Sequence, residues 1–181
     1  ALQAVKKEYG RQIDYRDWRF FASDPKVVAR LSAAKTMACF HIESASFLQL
    51  LEKIGPGLKT AGPQKIFDTL VILSSIIRPA SNAYIREFLR RFFGGDFAYL
   101  HPKLEPVLSE TLGIMVYQEH VNLVAMSLAG FSEIEADQLR KALTGKKSQA
   151  RIRELMRKYV DGCEQNGVSR KVALELSLIH I

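Results

Sequence analysis

Residues 113–158 read GIMVYQEHVNLVAMSLAGFSEIEADQLRKALTGKKSQARIRELMRK, and this stretch decides the fold class. Ser132-Glu133-Ile134-Glu135 has the capping-box pattern, a hydroxyl for the third amide and a carboxylate reaching back. It starts a helix expected to run to Leu143 and to break at Gly145. Val121, Val124, Ala125 and Leu128 recur at helical spacing before it, and Ile152, Leu155, Met156 and Tyr159 after it. Between Arg140 and Lys158 lie eight cations (Arg140, Lys141, Lys146, Lys147, Arg151, Arg153, Arg157, Lys158) and one acid, Glu154. That local excess equals the formal net charge of the whole 181-residue chain, +7, so acids and bases balance elsewhere. A block this lopsided faces either a polyanion or water.

Outward from this stretch the pattern stays helical. Leu2–Tyr9 reads as a helix end closed by Gly10, and Arg11–Phe21, with no clean period, as a packed connector. Asp24-Pro25 starts a short helix ending near Leu31, since proline at the first turn lacks only an amide that would go unpaired anyway. Met37–Ile42 (MACFHI) reads as extended. Ser44 caps a helix expected to stop at Gly55-Pro56-Gly57. Beyond Pro63, Ile66, Leu70, Leu73 and Ile77 form one apolar stripe as far as Arg78-Pro79. Ser81 caps a helix with Tyr84, Ile85, Phe88, Leu89 and Phe92 on its core side, and Gly94-Gly95 ends it. A short helix follows His101-Pro102 and ends by Gly113, Ile114–Gln118 reads as a short strand, and Ser169 starts a last helix. The expected fold is mainly α, a compact multi-helix domain with one or two short strands.

Composition excludes several classes. The chain is 48% apolar and 25% charged, which suits one globular domain, and no stretch approaches the roughly 18 apolar residues of a membrane helix. It begins without methionine or a signal-peptide pattern and stops inside an apolar run, so a piece of a longer protein is expected. Cys39 and Cys163 fit no metal or redox spacing and read as buried, reduced thiols of a cytoplasmic protein. A pI near 9.5 points to phosphates or nucleic acid.

Four cations, Arg140, Lys141, Lys146 and Lys147, fall on a helix end and the loop after it, a pattern that suits a triphosphate or a DNA backbone. The plain alternative is a solvated helix C-terminus, where the dipole favours cations. Arg140 and Lys141 lie on the side of Glu133 and Asp137, away from Leu139 and Ala142. Arg78, at a helix-breaking Arg-Pro, and Arg86 with Arg90, four apart, make a smaller basic face. Gln118, Glu119 and His120 stand where a helix begins, yet no second carboxylate or nucleophile lies at a diagnostic spacing. His41, His101 and His120 read as structural, and the residues alone assign no catalytic or metal site.

Six blocks, FHIES (40–44), IIRPASNAYI (76–85), HPKLEPVL (101–108), TLGIMVYQEHV (111–121), LAGFSEIEADQLRKAL (128–143) and NGV (166–168), occur in an order that resembles the alpha subunit of DNA polymerase III, the bacterial family C DNA polymerases. The resemblance covers Asp14 to Ala173 and implies the fingers domain over 14–181, with 1–13 ending the connection from the palm. It implies a DNA-directed DNA polymerase as parent, with Mg2+ held by palm carboxylates upstream of Ala1 and none held by this piece. The implied partners are deoxynucleoside triphosphates, primer–template DNA, the other polymerase domains and a sliding clamp.

By the same resemblance Arg78, Gln118, Arg140, Lys141, Lys146 and Lys147 would contact the nucleotide. Arg86, Arg90, Arg151, Arg153 and Arg157 are expected to contact DNA. The chain departs from the family where Lys141 replaces a second arginine, keeping charge but losing the bidentate fork. Ala142-Leu143-Thr144 also adds one residue before Gly145, and Ala80 replaces the glycine of Arg-Pro-Gly-Pro. A stand-alone helical nucleic-acid-binding module explains the charge but not the uncharged blocks. A soluble scaffold whose basic helix ends face water is the third reading, and salt-insensitive behaviour with no affinity for DNA or nucleotide would favour it.

Overall fold

The computed structural model describes residues 2–10, 14, 16–78, 81–144 and 149–178. The helices in chain order are α1 Leu2–Tyr9, α2 Trp18–Ala22, α3 Pro25–Ser32, α4 Ala45–Leu58, α5 Pro63–Ile76, α6 Asn82–Phe92, α7 Glu105–Leu108, α8 Gln118–Ala129, α9 Glu133–Thr144, α10 Gln149–Gln165 and α11 Arg170–Leu178, with a 3-10 turn over Pro102–Leu104. The mainly α expectation holds. The chain divides into two compact units, Ala1–Leu73 and Ser74–Ile181.

In the first unit α3 packs on α4. The Asp24 carboxylate accepts from the Lys26 amide to start α3, and Ser44 accepts from the Phe47 amide to start α4. Two expectations need correction here. The 11–21 connector contains helix α2, because the Asp17 carboxylate accepts from the Phe20 amide and Trp18 stacks on Phe67 at 4.5 Å. Helix α4 also runs through Gly55 and Pro56 to Leu58. Glu52 and Pro56 are both exposed, so the turn that lacks the Pro56 amide lies on the solvent side of α4. Gly55 faces α3 so closely that a Cβ there would sit 2.3 Å from the Ser32 carbonyl oxygen. On α5 the buried positions are Ile66, Thr69, Ile72, Leu73 and Ile76, a face rotated from the expected stripe, with Leu70 and Ile77 only half buried.

The second unit is built on α8, which packs against α9 and α10, while α10 packs on α11. Leu104, Leu108, Met115, Val124, Leu128, Phe131, Leu139, Leu155, Tyr159 and Leu176 share one buried cluster. The helices approach closely where Gly162 of α10 meets α8, since a Cβ at Gly162 would lie 2.5 Å from the Ala129 carbonyl oxygen. Gly130 closes α8 with φ 68°, and the Asn166 side chain donates to the Leu128 carbonyl at 3.1 Å.

No strand forms among the described residues, and both expected strands are corrected. Residues 37–42 coil through turns because Thr36 donates to the Ile42 carbonyl and the Glu43 carboxylate accepts from the Ala38 amide. Ile114, Met115 and Val116 are buried, as an apolar run should be, but the polar groups they pair go to the Thr111 turn and to side chains instead of a ladder. The Thr111 hydroxyl donates to the Ile114 carbonyl at 2.6 Å, and the Val116 amide donates to His120 Nδ1 at 3.2 Å. Cys163 is buried as expected, whereas Cys39 is exposed on the 37–42 turns. No helix among the described residues is long and apolar enough to cross a membrane.

Candidate functional site

The site begins with a sharp turn. Leu112 and Gly113 take φ values of 54° and 79°, and the Arg91 guanidinium donates to the Leu112 carbonyl at 2.6 Å. Arg91 also bonds the Glu87 carboxylate at 2.7 Å and lies over the Phe97 ring at 4.5 Å. From this turn the buried Ile114–Val116 leads into α8. His120 closes its start by accepting from the Val116 and Tyr117 amides, at 3.2 and 3.4 Å. Burial pushes the His120 pKa down, so the neutral ring that can accept is also the form the fold favours. His120 is thus structural, and Gln118 and Glu119 face solvent on the first turn of α8.

Helix α9 carries the complementary side chains. Its capping box forms as its sequence predicts: the Ser132 amide donates to Glu135 at 2.9 Å and the Glu135 amide to the Ser132 hydroxyl at 3.4 Å. Ala136, Leu139 and Ala142 are buried, which sends Asp137, Arg140 and Lys141 to the other face. Arg140 donates to Asp137 Oδ1 at 2.6 Å and to Gln118 Oε1 at 3.3 Å, while Lys141 Nζ lies 2.6 Å from Asp137 Oδ2. Lys141 and then Arg140 hold the Asp137 carboxyl below its usual range. Of the predicted nucleotide-contacting residues, Arg140 and Lys141 therefore share one carboxylate, and Gln118 joins them through Arg140. Lys146 and Lys147 lie outside the described residues.

Arg78 has local partners instead: its amide donates to the Ser81 hydroxyl at 3.2 Å and its Nε to the Ser75 carbonyl at 3.1 Å. Of the residues expected to meet DNA, Arg86 is exposed on α6, and Arg90 makes two bonds to Glu87, at 2.9 and 2.7 Å. Arg90 and then Arg91 hold the Glu87 carboxyl at about 2. Arg151 pairs with Glu154 at 2.7 Å and reaches Gln138 at 3.4 Å. Arg153 and Arg157 border an open groove of about 900 Å³ between α10 and the α8–α9 turn, with Lys158, Glu135, Glu154 and Asp161. Arg157 lies 3.8 Å from Asp161, and Lys158 pairs with Glu135 at 2.5 Å.

Arg91 and Lys158 carry more of this geometry than sequence reading assigns them. An arginine on a helix does not announce a partner 21 residues on, nor a lysine one 23 residues back. The Gln118–Asp137–Arg140–Lys141 set fits an anion better than a metal, because both oxygens of its carboxylate are already shared by cations. Among the described residues no group of three His, Cys, Asp or Glu side chains converges as metal ligands would.

Residues 1–167 match the family model of the bacterial DNA polymerase III alpha subunit finger domain. The chain is 33% identical over 173 residues to DNA polymerase III subunit alpha of Staphylococcus epidermidis, covering 95% of this chain and 15% of that protein. The subunit from Staphylococcus aureus is 33% identical over 176 residues, covering 97% of this chain and 16% of its own length. That of Halalkalibacterium halodurans is 30% identical over 177 residues, 97% and 15% respectively. The chain thus spans about 15% of the length of these curated relatives. It belongs to the finger-domain family of the bacterial DNA polymerase III alpha subunit.

Proposed function

We propose that this chain helps a DNA-directed DNA polymerase hold its incoming deoxynucleoside triphosphate and its primer–template DNA. The observation that carries the reading is the junction of α8 and α9, where Arg140 and Lys141 share Asp137 and Gln118 accepts from Arg140. Arg140 is the anchor, because a guanidinium forks onto phosphate oxygens while Lys141 adds a point charge beside it. Gln118 holds Arg140 from the neighbouring helix, so the fork is aimed before a ligand arrives and less ordering remains to be done on binding. Asp137 keeps the two cations together until phosphate oxygens replace it. Arg153 and Arg157, at the α10 groove, suit the DNA backbone. In this reading Arg78 and Arg86 are further contacts, Lys146 and Lys147 extend the clamp, and the metal ions of phosphoryl transfer are held elsewhere in the parent enzyme.

The test is primer extension by the full-length polymerase carrying Arg140→Ala. The KM for nucleotide should rise on the order of tenfold, the size of a lost charge-assisted bond, with DNA affinity changed much less. An unchanged KM would remove Arg140 from the nucleotide site.

A further inference from the structure

The loop between α3 and α4, in the first unit, presents a feature outside the clamp. Non-glycine residues Ala34, Ala38 and His41 take φ values of 51°, 65° and 68° within eight positions. Left-handed backbone costs an L-residue roughly 1–2 kcal/mol, so the surroundings must hold it. They do: the buried Thr36 hydroxyl donates to the Ile42 carbonyl at 2.5 Å, the Ala38 amide to the Glu43 carboxylate at 2.9 Å, and the Cys39 amide to the Thr36 carbonyl at 3.0 Å. The product of this fastening is a phenyl ring held in water. Phe40 is 83% exposed, with its centroid 4.2 Å from that of His41, and Met37 is 72% exposed.

We propose that this loop is a stacking platform for a base of single-stranded nucleic acid, with Phe40 as the platform. Ile42 is half buried, but a strained loop that leaves Phe40 and Met37 in water gains nothing from those two side chains in this fold. Two side chains offer a few hundred Å² at most, well short of the roughly 800 Å² per partner of a stable protein interface. One flat ring carried on a fastened backbone matches a flat partner, and every base has such a face. The local charge agrees. Lys35 is exposed beside the loop to meet a phosphate, while the carboxylate of Glu43 is turned onto the Ala38 amide.

The proposal uses no residue of the Arg140 clamp, so the two fail separately: the clamp is tested with triphosphate and the platform with bases. The 181-residue chain is titrated into a labelled twelve-nucleotide oligothymidine and into an abasic strand of equal length, followed by anisotropy. The base-bearing strand should bind about tenfold tighter, the lower part of the range for one stacked base. Phe40→Ala should bring its affinity down to that of the abasic strand. Phe40→Trp should keep the preference, and its added emission should be quenched by oligothymidine alone. Equal binding of the two strands by the parent chain, a preference that survives Phe40→Ala, or Trp emission indifferent to bases would each overturn the proposal.

Discussion

In the proposed anion site Asp137 is the residue that would compete with a phosphate, because it already holds Arg140 and Lys141. Its carboxyl is held below the ordinary range, so it stays charged at every physiological pH. Exposed pairs of this kind are weak and readily exchanged. Asp137→Asn should therefore tighten triphosphate binding, by roughly two- to fivefold, measured as the nucleotide KM of the full-length polymerase. A weaker affinity would mean that the carboxylate aims the cations more than it competes. This side of the site was legible in the sequence, since Asp137 precedes Arg140 by three and Lys141 by four. The bond from Arg140 to Gln118 was not, because only the packing of α8 on α9 brings them together. His120 supplies a second test at this scale. The fold lowers its pKa, whereas the unfolded ring protonates near 6.5. The stability it confers is complete above pH 6.5 and is lost as pH falls from there through the folded pKa, at no more than about 1.4 kcal/mol per unit. Protonation would also end acceptance from Val116 and Tyr117. Melts between pH 7.5 and 5.5 should show this decline, and His120→Gln should flatten it.

Helices that start on a side-chain cap could be read in advance, and α3, α4 and α9 begin where Asp24, Ser44 and Ser132 place them. Helix ends set by a neighbour could not. Gly55-Pro56 reads as a stop, yet α4 continues to Leu58, and Gly55 is there because the backbone of Ser32 leaves no room for a Cβ. The two apolar runs read as strands failed for a related reason. Period and β propensity say that a run wants burial, and not whether a second strand will pair with it. Gly162 gives this contrast a measurable form. It lies inside α10, where alanine would favour the helix by about 1 kcal/mol. A Cβ there would come within 2.5 Å of the Ala129 carbonyl oxygen, which is backbone and cannot step aside. Overpacking typically costs about 1–3 kcal/mol, so the contact should outweigh the propensity. Gly162→Ala should lower the urea midpoint, and a raised midpoint would show that α8 and α10 part without penalty.

At the scale of the molecule, the +7 charge suggests a protein that releases many counterions on meeting nucleic acid. The folded chain tells against that. Within Arg140–Lys158 the block holds one acid, but folding brings Asp137, Asp161 and Glu135 up to Arg140, Lys141, Arg157 and Lys158, and Glu154 to Arg151. The sequence posed a choice between polyanion and water, and much of the block is answered by carboxylates of the same unit. These cations remain able to turn toward phosphates, but each leaves an acid behind, so exchange neutralises less charge than the count of lysines and arginines implies. Eight phosphate contacts on a single strand would give a slope of log K against log salt near −6, at about −0.7 per contact. We expect a slope of about −2 to −3 for a twelve-nucleotide strand between 50 and 200 mM salt, which is three or four contacts. Arg153→Ala, at the mouth of the α10 groove, should make that slope shallower by less than one unit and weaken thymidine and abasic strands alike. A slope close to −6 would mean that the carboxylates give way completely, and that the basic run meets nucleic acid as one surface.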